Sequence, residues 1–236
     1  MCTVSFVAHN ETVIITSNRD EKVIRPGALP PRSYHCNGKI LVYPKDQKAG
    51  GTWFVADADG TVLVLLNGGI TKHEVRFSYR RSRGLIALDI ICSESPKDFW
   101  GVINLEDIEP FTLVLYQDKK LYELIWDGLT KRSTILDETK NHIWSSVTLY
   151  PEAVRKKRSR WFFDFLKDKN EISASDMLGF HRNTEGNDSE NGLIINRENT
   201  LKTVSITQVV IGQNKRAIAY HDLVLEQEFS TAFISI

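Results

Sequence analysis

The sequence predicts an α+β fold: two antiparallel sheets with helices packed outside them. Three observations predict it. β-branched and apolar runs arrive in neighbouring pairs, each pair separated by a tight-turn signal. Helical periodicity arrives in two separate blocks between the strand-rich regions. Strands and helices therefore come in runs, without the regular βαβα alternation of a doubly wound sheet. The 236 residues show no repeat, no low-complexity stretch and no linker, so the expectation is a single domain over residues 1–236. A chain of this size buries enough surface to fold without staples.

In chain order, residues 3–8 (TVSFVA) and 12–17 (TVIITS) read as a hairpin around His9, Asn10 and Glu11. Pro26, Gly27, Pro30, Pro31 and Gly38 mark a loop. Residues 52–57 (TWFVAD) and 61–66 (TVLVLL) flank Ala58-Asp59-Gly60, where Asp-Gly supplies the positive-φ positions of a tight turn. Residues 82–92 and 95–104 read as helices, with Ser95-Pro96 as cap and first turn. Residues 111–117 and 120–126 read as strands joined near Asp118. Val154, Trp161, Phe162, Phe165 and Leu166 recur at helical spacing, and residues 173–181 suggest another helix. A polar loop over 183–192 precedes strands at about 203–211 and 216–220.

Composition narrows the function. Thirty Lys and Arg balance thirty Asp and Glu, which argues against a globally basic nucleic-acid binder. With 42% hydrophobic residues the chain is not a disordered acidic one. No apolar run approaches the ~20 residues of a membrane span, and the first residues lack a secretory signal pattern. The cysteines, Cys2, Cys36 and Cys92, contain no CxxC and read as neither a disulfide framework nor a zinc ribbon. A reducing, cytoplasmic setting is the simpler expectation. The six histidines show no HxxxH or HExxH spacing, so no metal site is predicted. Arg155, Lys156, Lys157, Arg158 and Arg160 fall on the second helical block and read as a solvated helix face.

Cys2 stands apart. Loss of Met1 would make it the N-terminus and give one residue both a thiol and an α-amine near neutral pKa, the logic of N-terminal-nucleophile catalysis. The first hairpin sets residue 2 opposite residues 17–19, so Asn18, Arg19 and Asp20 are expected beside it. Arg19 would favour a thiolate, and Asp20 would orient the ammonium. The second hairpin is expected to bring Gly50, Gly51 and Thr52 near Asn67 and Gly68, where backbone N–H groups and the Asn67 amide suit an oxyanion. Arg80, Arg81 and Arg83 precede a predicted helix, and Arg83 is a candidate for a carboxylate or phosphate.

MCT at the start, SNRDE at 17–21, GGTW at 50–53, LLN at 65–67 and SRG at 82–84 together resemble the NRDE family, that of transport and Golgi organisation protein 2. The resemblance implies a four-layer αββα sandwich, the N-terminal-nucleophile hydrolase fold. The first part also resembles choloylglycine hydrolases and penicillin acylases. That implies Cys2, Arg19 and Asp20 as catalytic residues and Asn67 as an oxyanion donor, with Asn18, Gly50, Gly51, Trp53 and Arg83 in the ligand site. A second oxyanion asparagine would fall near Ser145-Ser146, where many relatives show Ser-Asn, and a later arginine near Lys202. Family members are connected with Golgi organisation, haem trafficking and lipid metabolism. The expected activity is hydrolysis of a non-peptide amide or related acyl bond. The alternative is a noncatalytic carrier of haem or a lipid-like acyl ligand, with no resident cofactor, no nucleic-acid partner and an oligomeric state left open.

Overall fold

The computed structural model describes residues 3–213 and 216–233. In chain order the elements are β1 (Thr3–His9), β2 (Thr12–Lys22), β3 (Ala28–Cys36), β4 (Lys39–Asp46), β5 (Phe54–Asp57) and β6 (Val62–Asn67). Helices α1 (Arg83–Ile91) and α2 (Pro96–Val102) follow, then β7 (Phe111–Gln117), β8 (Lys120–Trp126), β9 (Lys131–Leu136) and β10 (His142–Ser145). The chain continues through α3 (Glu152–Lys167), α4 (Ala174–Asn183), β11 (Asn196–Arg197), β12 (Leu201–Ile211), β13 (Arg216–Asp222) and β14 (Gln227–Ala232). This is an α+β chain with two antiparallel sheets, as the order of elements predicts. The described residues group into two compact units.

The first unit comprises residues 3–26, 139–213 and 216–233. Its sheet runs β10-β1-β2-β12-β13-β14, with β11 paired to β12. The β1–β2 hairpin turns on Asn10 and Glu11, both at positive φ (46° and 59°), which matches the strand twist of a two-residue turn. Helices α3 and α4 pack Phe162, Leu166, Met177 and Phe180 onto Val7 and Ile14 of the sheet. A capping box of Ser173 and Asp176 opens α4. Lys169 and the Ser173 hydrogen bonds hold the Asp176 carboxyl well below its ordinary range.

The second unit, residues 27–138, is one meander in the order β3-β4-β5-β6-β7-β8-β9. The β5–β6 turn places Gly60 at φ +93°, whereas Asp59, expected to share the positive-φ role, does not adopt it. Asp118 and Lys119 both take positive φ between β7 and β8, at 51° and 57°. Helix α1 lies against β5 and β6, and α2 against β7. The VLVLL run is buried on both faces. Ser82 caps α1 and Ser95 caps α2, with Pro96 in the first turn.

Two expectations are corrected here. The Pro-rich stretch expected as a loop is strand β3. It lies at the sheet edge, with a register irregularity between Leu29 and Arg32 that accommodates Pro30 and Pro31. In sequence the cysteines read as no disulfide framework, yet Cys36 and Cys92 form a disulfide. It fastens the β3–β4 turn to the end of α1. Asn37 there donates to Cys92 O, and the Lys39 ammonium donates to Ile91 O, Ser93 O and Glu94 O. A cation on these carbonyls complements the helix C-terminus. No helix among the described residues is long and apolar enough to cross a membrane.

Candidate functional site

Within the first unit the geometry converges on the N-terminal end of β1. Cys2 lies outside the described residues. Its neighbour Thr3 pairs with Asn18 on one side and Ser145 on the other. That register carries Arg19 and Asp20 to the end of the same strand pair, as the hairpin argument predicts. Arg19, 4% exposed, meets Glu21 Oε2 at 3.4 Å and is paired across the sheet with Ser205.

Asp20 is also 4% exposed. Two hydroxyls hold its carboxylate: Tyr150 Oη donates to Oδ2 at 2.5 Å and Thr203 Oγ1 to Oδ1 at 2.6 Å. Thr203 is fixed in turn, since Ile195 N donates to its Oγ1 at 2.9 Å. The arrangement holds an acceptor at a set position while keeping water away.

Tyr150 is buried under a guanidinium. Arg158 Cζ lies 3.6 Å from the ring centroid, and Arg197 Cζ lies 5.1 Å from it. Arg158 is 1% exposed. It donates to Thr3 Oγ1 at 2.5 Å, Gly192 O at 2.5 Å and Asn191 O at 3.2 Å. The expected solvated face is thus corrected at this residue: Lys156, Lys157 and Arg160 are exposed, and Arg158 is not. Its position had a signal. Arg158, Phe162 and Leu166 are spaced i, i+4, i+8 and form the buried stripe of α3.

Asn18 is fully buried. Its amide nitrogen donates to Leu193 O at 2.7 Å and His181 O at 3.1 Å. Its Oδ1 meets His181 Nδ1 at 2.5 Å, and His181 Nε2 meets Ser5 Oγ at 2.7 Å. With the Asn18 amide oriented by two carbonyls, Nδ1 carries the proton and Nε2 accepts from Ser5. Burial, reinforced by the charge of Arg158, pushes the His181 pKa down to about 3. This Ser-His-Asn chain is shut off from solvent, so it braces β1 and β2 against α4. Ser146 is buried with its hydroxyl 3.0 Å from Thr148 Oγ1, and Lys202 pairs across the sheet with Glu21.

The remaining candidates belong to the second unit. Gly50 takes φ +72° in the turn after β4. Gly51 is used for close approach. A Cβ there would lie 2.4 Å from Gly84 C and 2.6 Å from Leu85 N, and a Cβ on Gly84 would lie 2.8 Å from Thr52 O. The GGTW and SRG motifs therefore meet backbone to backbone, with Thr52 N donating to Gly84 O at 3.3 Å. Gly51→Ala and Gly84→Ala are each expected to cost about 2–3 kcal/mol. Because one forced separation serves both, the double variant should cost less than the sum. Urea unfolding of the two singles and the double checks this.

Trp53 is 4% exposed, and its carbonyl accepts from Leu65 N at 2.9 Å. Asn67 ends β6, half-buried, opposite Phe111. Arg83 meets Glu109 Oε2 at 3.0 Å and donates to Pro110 O at 3.2 Å, while Glu109 Oε1 meets His73 Nε2 at 3.3 Å. Its guanidinium is engaged by an internal carboxylate. Sequence reasoning missed Tyr150, Thr203, Arg158 and His181. Among the described residues no group of three or more His, Cys, Asp or Glu side chains is placed to hold a metal ion.

Comparison with known proteins agrees with this architecture. No curated protein matches the chain. Among solved structures, the Caenorhabditis elegans ortholog of N-acylethanolamine-hydrolyzing acid amidase superposes with TM-score 0.62 at 11% identity, covering 88% of this chain and 92% of that one. Two variants of conjugated bile acid hydrolase from Clostridium perfringens each give TM-score 0.57. Their identities are 8% and 9%, they cover 98% and 100% of this chain, and 92% and 97% of their own chains are covered. These likenesses carry the fold, the N-terminal-nucleophile hydrolase fold that the motifs imply. At the sequence level the match is to the family described as Transport and Golgi organisation 2, over residues 1–223. The chain belongs to the Transport and Golgi organisation 2 family.

Proposed function

We propose that the protein is an N-terminal-cysteine hydrolase of a non-peptide amide or related acyl bond. The reading rests chiefly on Asp20, a buried carboxylate held by Tyr150 and Thr203 directly after Arg19, on the strand that pairs with the residue following Cys2. In this reading removal of Met1 frees the α-amine of Cys2. The amine takes the thiol proton, and the thiolate attacks the carbonyl carbon. Arg19 favours the thiolate and Asp20 receives the ammonium. The proton passes to the leaving amine as the C–N bond breaks, and water then resolves the acyl-enzyme. Asn67 is assigned the oxyanion role by the sequence resemblance. Asn18, with its amide already committed, acts on position rather than on substrate. The structural neighbours include an acid amidase and a bile acid hydrolase, which supports an amide of a small amphipathic acid as the substrate class.

The test is a panel of small amide and acyl substrates on wild type and Cys2→Ala, with intact mass measured on the same samples. Turnover by protein lacking Met1, lost in Cys2→Ala, is the expected result. Turnover unchanged in Cys2→Ala, or by protein that fully retains Met1, overturns the mechanism. No turnover, with haem or acyl-ligand binding intact in Cys2→Ala, points to the noncatalytic carrier.

A further inference from the structure

Helix α1 has more apolar surface than the sheet uses. Ile86, Ala87, Ile90 and Ile91 are its buried residues. Leu85, Leu88 and Cys92, spaced i, i+3, i+7, form a second stripe, and the two leucines are only half-buried. This stripe faces the β3–β4 hairpin. There Tyr34 and Cys36 alternate onto one face of β3, and Leu41 and Tyr43 onto one face of β4. The two walls enclose a crevice of about 650 Å³, within the range of small-molecule sites. Phe99 and Ile103 of the α2 region complete its apolar lining.

The two ends differ. At the C-terminal end of α1 Cys36, Asn37 and Cys92 line the crevice, and the Cys36–Cys92 disulfide with the Asn37 hydrogen bond to Cys92 O fastens the hairpin to the helix. At the N-terminal end Arg80 and Arg81 line it, with Asn104. Arg81 meets Asp89 at 2.9 Å, and Arg80 rests on Asn104 O and Glu106 O. Asp89 is the one acidic lining residue, and burial raises its pKa against the pull of both arginines. The mouth is therefore cationic on balance, and the floor apolar. From Leu85 to Cys92 the helix rises about 10 Å, at 1.5 Å per residue.

We propose that this crevice binds a free, single-tailed amphipathic anion of medium chain length, with its carboxylate or sulfate at Arg80 and Arg81. Its aliphatic tail runs along Leu85 and Leu88 toward the disulfide, and the Tyr34–Tyr43 stack forms the side wall (ring centroids 4.1 Å apart). None of Gly50, Gly51, Trp53, Asn67 or Arg83 lines the crevice, so the proposal stands apart from the hydrolase reading. Charge sets the head-group preference, and the length of the Leu85–Cys92 stripe sets the tail length.

The full-length protein is titrated calorimetrically with decanoate below its micelle concentration, then with butyrate, decan-1-ol and decyltrimethylammonium. Saturable 1:1 binding of decanoate is expected, at least tenfold tighter than any of the other three. Leu88→Trp, which fills the crevice at a half-exposed position, should weaken decanoate binding at least tenfold. Arg81→Gln should weaken it several-fold while leaving decan-1-ol unchanged. Cys2→Ala should leave it intact. Absence of saturable binding, full affinity in both Leu88→Trp and Arg81→Gln, or loss of binding in Cys2→Ala each overturns the proposal. The last result would assign the anion to the site of the proposed hydrolase chemistry instead.

Discussion

Replacing Arg158 by methionine is expected to lower stability by about 3 kcal/mol or more. For a chain of this length that is a fall of about 6–12 °C in Tm. Methionine keeps most of the stem that packs in the α3 stripe, so the change isolates the guanidinium. What remains is costly. Gly192 O, Asn191 O and Thr3 Oγ1 each lose a charged donor, and Tyr150 loses the nearer of its two cations. Buried ion pairs can often be replaced by apolar residues without loss, because both charges leave together. Here the partners are largely backbone carbonyls, which stay in place whatever occupies position 158. Arg158→Lys should recover less than half of the loss, since an ammonium cannot reach three acceptors and lie flat on a ring at once. Chemical denaturation at neutral pH checks both variants. A methionine variant within about 0.5 kcal/mol of wild type, the range of ordinary surface changes, would refute the argument.

The same residue shows why part of the site stays hidden in a sequence. The period-3.6 stripe of α3 is legible through Phe162 and Leu166, and Arg158 continues it one turn earlier. Charge masks it, because arginine is almost never fully buried without a partner. Its partners, Thr3 and the Asn191–Gly192 carbonyls, lie far away along the chain, beyond the reach of a periodicity argument. Asp20 is similar. The local hairpin places it two residues past the Thr3–Asn18 pair, but Tyr150 and Thr203 arrive from 130 and 183 residues away. What is local is legible: the Asp59-Gly60 turn, the Ser95-Pro96 cap, and the first hairpin with its register.

Edges are less legible than centres. β3, β9, β10 and β14 are the outer strands of the two sheets, and only central strands carry the dense apolar runs that sequence periodicity detects. The prolines of β3 punctuate a loop in sequence but are compatible with an edge in structure. The glycines of GGTW read as a candidate anion cradle. In the fold Gly51 is the contact point with Gly84, a use that only a second segment of chain can reveal. Cys36 and Cys92, 56 residues apart, meet for the same reason: the β3–β4 turn folds back onto the end of α1.

Acid is expected to unfold the protein partly through His181. Its pKa of about 3 in the folded state, against an ordinary 6.5, means that the unfolded chain binds the extra proton between those values. Stability from this residue is therefore complete above about pH 6.5 and is lost as pH falls toward 3. The loss approaches about 1.4 kcal/mol per pH unit within the window, several kcal/mol in all. The cause is structural. With Nδ1 donating to Asn18 and Nε2 accepting from Ser5, a second proton would reverse the Ser5 hydrogen bond and bury a charge near Arg158. His181→Phe removes the titration but leaves Asn18 Oδ1 and Ser5 Oγ without their ring partner, so it should be less stable at pH 7, by about 2–4 kcal/mol. Its disadvantage should then shrink with each unit of acidification, because only wild type carries the histidine penalty. The difference between the two proteins cancels the carboxylates they share, including Asp20 and Asp176. Urea unfolding at pH 7, 6, 5 and 4 reads that difference directly. Curves that converge toward low pH support a neutral, buried His181 as the brace between α4 and the strands that carry Arg19 and Asp20. Parallel curves would show that the ring is protonated or solvated in the folded protein.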